Sequence, residues 1–160
     1  MIASLSGSKK NAMEYLSRDA GVVFTDQATG ESVKRTIAKM SKSLRNVINP
    51  DEVIETWGAD TLRLYEMYMG PLESSKPWNP RDIVGVFRFL QRLWRLFIDE
   101  ETGAVITASQ PDDTIERALH RTIQRVESDI ERLSFNTAIA ALIEFVNEAT
   151  STGRLTTEQI

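Results

Sequence analysis

The sequence contains no cysteine and a single histidine, His120. Without cysteine there is no disulfide framework, thiolate metal site or thiol nucleophile, a composition that suits a reducing cytosol. One histidine excludes every mechanism that needs two imidazoles, including the H-E-x-x-H zinc site, and no metal-ligating set is expected in the chain. Eight glycines and five prolines in 160 residues are too few for a collagen-like or low-complexity chain. The N-terminus has no apolar signal-peptide core and no run approaches a membrane span. The expectation is a soluble, cytoplasmic protein with no membrane partner. Nor is there an excess of one charge: 19 Lys plus Arg face 23 Asp plus Glu, for a net charge of −4. That balance argues against coating nucleic acid through bulk charge and leaves room for a local basic patch.

What is present suffices for a real core, with 41% of residues hydrophobic. The length allows one full-sized domain or two small ones. Charge is unevenly placed. From Lys34 to Asn46 stand Lys34, Arg35, Lys39, Lys42 and Arg45 with no carboxylate; from Asp51 to Asp60 stand Asp51, Glu52, Glu55 and Asp60 with no cation. A basic stretch running into an acidic helix invites an anion. Before it, the β-favouring runs Val22 to Thr25 and Ser32 to Ile37 flank a turn at Asp26 to Gly30, which predicts a hairpin.

Beyond Asn49 the pattern is helical. Asn49-Pro50-Asp51-Glu52 sets an N-cap, an N1 proline and early carboxylates in order, and Gly58 ends the helix. A second short helix runs from Ala59 to Met69 and stops at Gly70-Pro71, and Leu72 to Asn79 reads as a linker. Asn79-Pro80-Arg81-Asp82 repeats the cap signature and predicts a helix to about Glu101, with Val86, Phe89, Leu90, Leu93, Trp94 and Phe97 as its apolar stripe. Asp113 to Leu133 carries Ile115, Leu119, Thr122, Val126, Ile130 and Leu133 on one face; Phe135 to Ala149 carries Phe135, Ala138, Ile139, Leu142, Val146 and Ala149. Short connections favour antiparallel packing. The fold class expected is mainly α, a small N-terminal β-hairpin and loop segment followed by an antiparallel helical bundle. Thr156 and Gln159 read as N-cap and N3 of a further helix whose pattern stops in its first turn, which suggests an excerpt of a longer polypeptide.

The strongest motif is Lys39-Met40-Ser41-Lys42-Ser43, followed by Leu44-Arg45-Asn46. It resembles the KMSKS loop of class I aminoacyl-tRNA synthetases. Residues 46–54 (NVINPDEVI) and 58–64 (GADTLRL) resemble the segment on the C-terminal side of that loop in the leucine, isoleucine, valine and methionine enzymes. Residues 65–73 (YEMYMGPLE), Lys76-Pro77-Trp78, 85–96 (GVFRFLQRLWRL) and 133–145 (LSFNTAIAALIEF) are similar to the bacterial leucyl-tRNA synthetase family. The resemblance implies a fragment of a leucine–tRNA ligase. Residues 1–48 would be the end of a Rossmann-type catalytic domain with the KMSKS loop, 49–79 the stem-contact connector helices, and 80–160 the first part of the anticodon-binding bundle. It implies Lys42 and Lys39 as the catalytic side chains and Lys42, Lys39, Ser41, Met40 and Ser43 as nucleotide contacts. It also implies ATP with magnesium as cofactors, and leucine, ATP and tRNA(Leu) as partners of the full-length enzyme. Arg45 stands where many relatives have glycine. The family's HIGH motif needs two histidines, so the chain cannot contain it, and the fragment alone is expected to be inactive and to bind no cofactor. The same region of a valyl-, isoleucyl- or methionyl-tRNA synthetase is the near alternative; a non-catalytic helical nucleic-acid-binding module is the distant one.

Several other residues carry two readings. Arg88, Arg92 and Arg95, spaced along one helix face with Arg81 near its start, are either tRNA phosphate contacts or a solvated stripe neutralised by Asp99 and Glu100. Asp60 and Arg63 read as a weak surface pair. Trp57 reads as a helix-end cap, Trp78 as a linker anchor and Trp94 as core; His120 reads as a surface or half-buried helix residue without chemistry. Repulsion among the five cations predicts an extended loop from Lys34 to Asn46, with rapid amide exchange across Lys39 to Arg45 and slow exchange through Phe89 to Phe97.

Overall fold

The computed structural model describes residues 2–5, 24–26, 28–33, 35–107, 110, 112–152 and 155–159. Val22, Val23, Gln27 and Lys34, included above in the hairpin and the basic stretch, lie outside the described residues. Among the described residues four short strands come first: β1 (Ile2–Leu5), β2 (Phe24–Thr25), β3 (Ser32–Val33) and β4 (Arg35–Ala38). Strand β2 pairs antiparallel with β3, Phe24 opposite Val33 and Thr25 opposite Ser32. Asp26 shapes the turn between them: its N–H donates to the Glu31 carbonyl at 2.9 Å and its Oδ1 accepts from the Ala28 N–H at 2.7 Å. Gly30 supplies the left-handed residue at φ 70°. The run Ser32 to Ile37 does not continue as one hairpin strand. Its second half, β4, pairs antiparallel with β1, from Ile2 opposite Ala38 to Leu5 opposite Arg35. Alternation marks a strand; it does not name the partner.

Among the described residues five α-helices follow: α1 (Pro50–Trp57), α2 (Ala59–Tyr68), α3 (Ile83–Phe97), α4 (Asp113–Glu131) and α5 (Phe135–Thr152). Asn49 caps α1 through its side chain, which accepts from the Asp51 N–H at 3.1 Å; Pro50 stands at N1, and Gly58 at φ 86° turns the chain into α2. The start of α3 departs from expectation. Asn79 caps only a turn, with the Arg81 N–H on its Oδ1 and the Asp82 N–H on its carbonyl, both at 3.1 Å, and the helix begins four residues later at Ile83. It also ends earlier, at Phe97. There Ile98 bridges to Val105, and Asp99 Oδ1 accepts the Glu101 and Thr102 N–H groups at 3.0 and 2.9 Å.

The α4–α5 pair is antiparallel: Arg121 faces Glu148 and Arg125 faces Glu144 across it, at 3.7 and 3.5 Å. Leu133, at φ 57°, turns the corner with the Ser134 N–H on the Asp129 carbonyl at 2.7 Å. Two apolar cores hold the helices. The larger joins Phe89 and Leu96 of α3, Ile115 and Ala118 of α4, Phe145, Val146 and Ala149 of α5, and Leu155. The smaller joins Tyr65 of α2 to Ile83 and Val86 of α3, with Val53, Trp57 and Trp78 packed around them. Trp94 is not a core residue; it is 59% exposed. Ile130 and Leu133, assigned above to the buried face of α4, are 50% and 59% exposed. Ile130 borders an open groove that residues of α2, α3 and α5 also line, so this part of the stripe faces a gap rather than a packed neighbour. The final turn, Thr157–Gln159, is 3-10, and Thr156 with Gln159 forms the capping contact read from sequence, the Thr156 N–H donating to Gln159 Oε1 at 3.0 Å. Gln159 Nε2 then donates to Glu116 Oε2 at 2.6 Å, which ties the segment to α4.

Candidate functional site

Strand β4 ends at Ala38 and α1 begins at Pro50, so the Lys39–Asn46 loop is anchored at both ends. Lys39, Lys42, Ser43, Leu44 and Arg45 are exposed, while Met40, Ser41 and Asn46 are half-buried. The loop is not extended, as charge repulsion alone would have it. The Arg45 N–H donates to the Lys42 carbonyl at 3.2 Å, and the Leu44 N–H to Ser41 Oγ at 3.2 Å. The two serine hydroxyls, Ser41 and Ser43, lie 3.1 Å apart. Asn46 then bridges back: its Oδ1 accepts the Ser41 N–H at 2.8 Å and its Nδ2 donates to the Lys39 carbonyl at 3.2 Å. Local hydrogen bonds outweigh repulsion here because the ammonium groups stay in water, where their mutual energy is small.

The geometry brings Lys39 to Ser43 together on one closed turn. Between β4 and α1 no carboxylate interrupts the cations. Two solvated ammonium groups on a short, anchored turn can meet a polyanion. The Ser41 backbone N–H is already held by Asn46, so an anion reaching Ser41 in this arrangement meets its hydroxyl. Arg45 takes φ 50°, the left-handed region that glycine occupies without cost. The turn is therefore closed with a Cβ-bearing residue in that region, and its backbone is strained there. Asn46 is the residue whose importance sequence reasoning missed. The available signal was an amide side chain, donor and acceptor in one group, placed just after the loop.

The arginine stripe on α3 divides. Arg88 is exposed; Arg95 Nε donates to Glu100 Oε1 at 3.0 Å, so that end is neutralised. Arg92 is half-buried, and its Nε has no hydrogen-bond partner among the described residues. Asp60 and Arg63 pair at 3.3 Å with both side chains open to solvent. His120 Nε2 stands 3.1 Å from Glu116 Oε1 on the exposed side of α4. Among the described residues no group of three His, Cys, Asp or Glu side chains could hold a metal ion, and no helix is long and apolar enough to cross a membrane. An open apolar groove of about 420 Å³ lies between α2, α3, α4 and α5, lined by Leu64, Leu90, Val126, Phe135 and Leu142 among others.

Residues 31–76, which hold the whole loop with α1 and α2, match the family of class I tRNA synthetases (I, L, M and V). A leucine–tRNA ligase of Streptomyces avermitilis is 53% identical over 143 residues, covering 89% of this chain. One of Mycobacterium marinum is 49% identical over 153 residues, covering 92%. The chain is homologous to the leucine–tRNA ligases. It spans 14% of the first relative's length and 16% of the second's. Among solved structures, LeuRS in the LeuRS-tRNA-LeuAMS ternary complex of Agrobacterium radiobacter K84 agnB2 is similar at a TM-score of 0.56 and 28% identity, over 72% of this chain and 17% of that one.

Proposed function

We propose that the chain is the part of a leucine–tRNA ligase that carries the loop acting on ATP and the first helices that bind tRNA(Leu). Residues 1–48 close the catalytic domain, 49–79 connect, and 80–160 begin the anticodon-binding bundle. In the whole enzyme the leucine carboxylate attacks the α-phosphorus of ATP, the bond to the β,γ-pyrophosphate breaks, and the leucyl-adenylate then passes its acyl group to tRNA. Negative charge grows on the departing pyrophosphate. Lys42, at the tip of the turn, and Lys39, at its base, meet that charge as it develops, which accelerates the step rather than only tightening binding. A compact ammonium on a flexible stem suits the role. Met40, Ser41 and Ser43 complete the nucleotide contact, with the hydroxyls as polar partners. Magnesium, if bound with the nucleotide, would supply charge screening of the phosphates beside Lys39 and Lys42. Cytoplasmic location follows from the same reading.

The observation that carries the proposal is the closed, carboxylate-free turn presenting Lys39 and Lys42 within a stretch matching the class I synthetases. The test is Lys42→Ala in the full-length enzyme. Leucine-dependent ATP–pyrophosphate exchange should slow by roughly 2.7–4 kcal/mol of barrier, with leucine binding little changed. The 160-residue chain alone should show no exchange, because the HIGH motif cannot be present with His120 as its one histidine. Unchanged exchange together with weakened tRNA binding would instead make the loop a non-catalytic nucleic-acid contact.

A further inference from the structure

We infer that Asn46 is a positioning residue for the lysine loop. The inference rests on the reading of that loop as the ATP contact and adds a residue outside the five assigned to it. The Asn46 side chain makes two hydrogen bonds to the backbone of the loop that precedes it, accepting from Ser41 N–H at 2.8 Å and donating to the Lys39 carbonyl at 3.2 Å. Only an amide offers both functions on one planar group of this length. Those bonds fix the chain on the N-terminal side of Lys42, while the Arg45 N–H on the Lys42 carbonyl fixes it from the other side. Lys42 is thereby held at the tip of a closed turn without any contact to its own side chain.

A second observation points the same way. Arg45, immediately before Asn46, sits at φ 50° although it has a Cβ. A non-glycine residue persists in that region when its surroundings over-determine it. The left-handed turn at Arg45 swings Asn46 back toward Lys39 and Ser41, and the two Asn46 bonds hold Arg45 there. Asn46 in turn stands three residues before Asn49, the cap of α1, so the turn is referenced to a helix end. Because additional negative charge develops on the departing pyrophosphate in the transition state, a pre-placed ammonium acts more strongly than one that must first be gathered from a floppy loop.

The experiment uses the full-length enzyme and ATP–pyrophosphate exchange, with Asn46→Ala, Asn46→Asp, Lys42→Ala and the Asn46→Ala/Lys42→Ala double variant. Asn46→Ala should lower kcat roughly ten-fold, the effect expected for losing two ordinary hydrogen bonds, and leave KM for leucine unchanged. Asn46→Asp keeps the acceptor for Ser41 and should lose less. In the Lys42→Ala background, Asn46→Ala should cost less than in the wild type, because only Lys39 is then left to position. A wild-type kcat for Asn46→Ala, or an equal loss with and without Lys42, overturns the inference. Should Asn46→Ala lower Tm, the Asn46→Asp variant decides by the same kcat and KM split. Failure of the underlying reading looks different: Lys42→Ala itself would then leave exchange intact.

Discussion

Tyr65 is the point at which α2 is fastened to the start of α3, and removing its hydroxyl tests how much that fastening contributes. Its side chain is 1% exposed, its ring stands edge-on to Trp78 at 5.1 Å, and its hydroxyl donates to the Asn79 carbonyl at 2.8 Å while accepting the Asn79 N–H at 3.3 Å. Tyr65→Phe keeps the ring and leaves both Asn79 groups without that partner, so at neutral pH it should cost about 1–3 kcal/mol. For a chain of this size that lowers Tm by about 2–4 °C per kcal/mol. A second signature is alkaline. Burial pushes the hydroxyl up to about 12, the nearby Asp82 adds to the shift, and the Asn79 backbone hydrogen bond opposes it. The unfolded chain ionises at the ordinary value near 10, so between about pH 10 and 12 the unfolded state holds fewer protons and folding stability falls as pH rises. Two units correspond to about 2–3 kcal/mol, fully present below pH 10 and lost through pH 12. Phenylalanine has no such titration. Urea unfolding followed by circular dichroism at pH 7, and at steps from pH 9 to 11.5, should show the variant weaker at pH 7 and flatter above pH 10. Equal stability at pH 7 with parallel alkaline curves would refute the fastening argument.

Two further predictions address a misread residue and a helix cap. Trp94→Gln should change stability by no more than about 0.5 kcal/mol in thermal unfolding, because the indole is 59% exposed; a core tryptophan would cost several times that. Asp112 caps α4, and hydrogen bonds from the Ile115 and then the Thr114 N–H hold its carboxyl below the usual aspartate range. Its contribution should be present above the ordinary aspartate pKa and disappear as pH falls through the lowered value; Asp112→Asn, which keeps the acceptor, should remove that acid dependence in urea midpoints measured from pH 2 to 6.

Helix α1 was legible because each of its signals is local: the Asn49 cap, the proline at N1 and the Gly58 stop all act within their own turn. The same letters misled at Asn79. There the backbone N–H and carbonyl are bound to the Tyr65 hydroxyl, a partner 14 residues earlier, and the capping side chain closes a turn before the helix begins. Trp94 fits the apolar period of α3, yet periodicity reports which face a residue shares and not whether a neighbour covers that part of the face. The pairing of β4 with β1 joins residues thirty or more positions apart, which no alternation pattern specifies. In the candidate site, the resemblance to the KMSKS loop singled out Lys39 and Lys42, whereas the Asn46 side chain makes its two backbone bonds only once the turn is closed.

The balance of forces in that turn bears on what it can do. Two exposed ammonium groups in water repel by about 1 kcal/mol at 4 Å, less at greater distance and less again in salt. Each neutral hydrogen bond that closes the turn contributes about 0.5–1.5 kcal/mol net. The left-handed Arg45 subtracts about 1–3 kcal/mol from that gain. These magnitudes are comparable, so the closed turn is held by a narrow margin. A polyanion placed against Lys39 and Lys42 removes the repulsion without touching the Asn46 bonds, and the balance then moves firmly toward closure. A loop built from stronger bonds would not respond to its ligand, and one lacking Asn46 would have to be assembled by it. On the proposed reading, the closeness of these opposing terms would let a phosphate-bearing substrate complete the arrangement that the backbone has already begun.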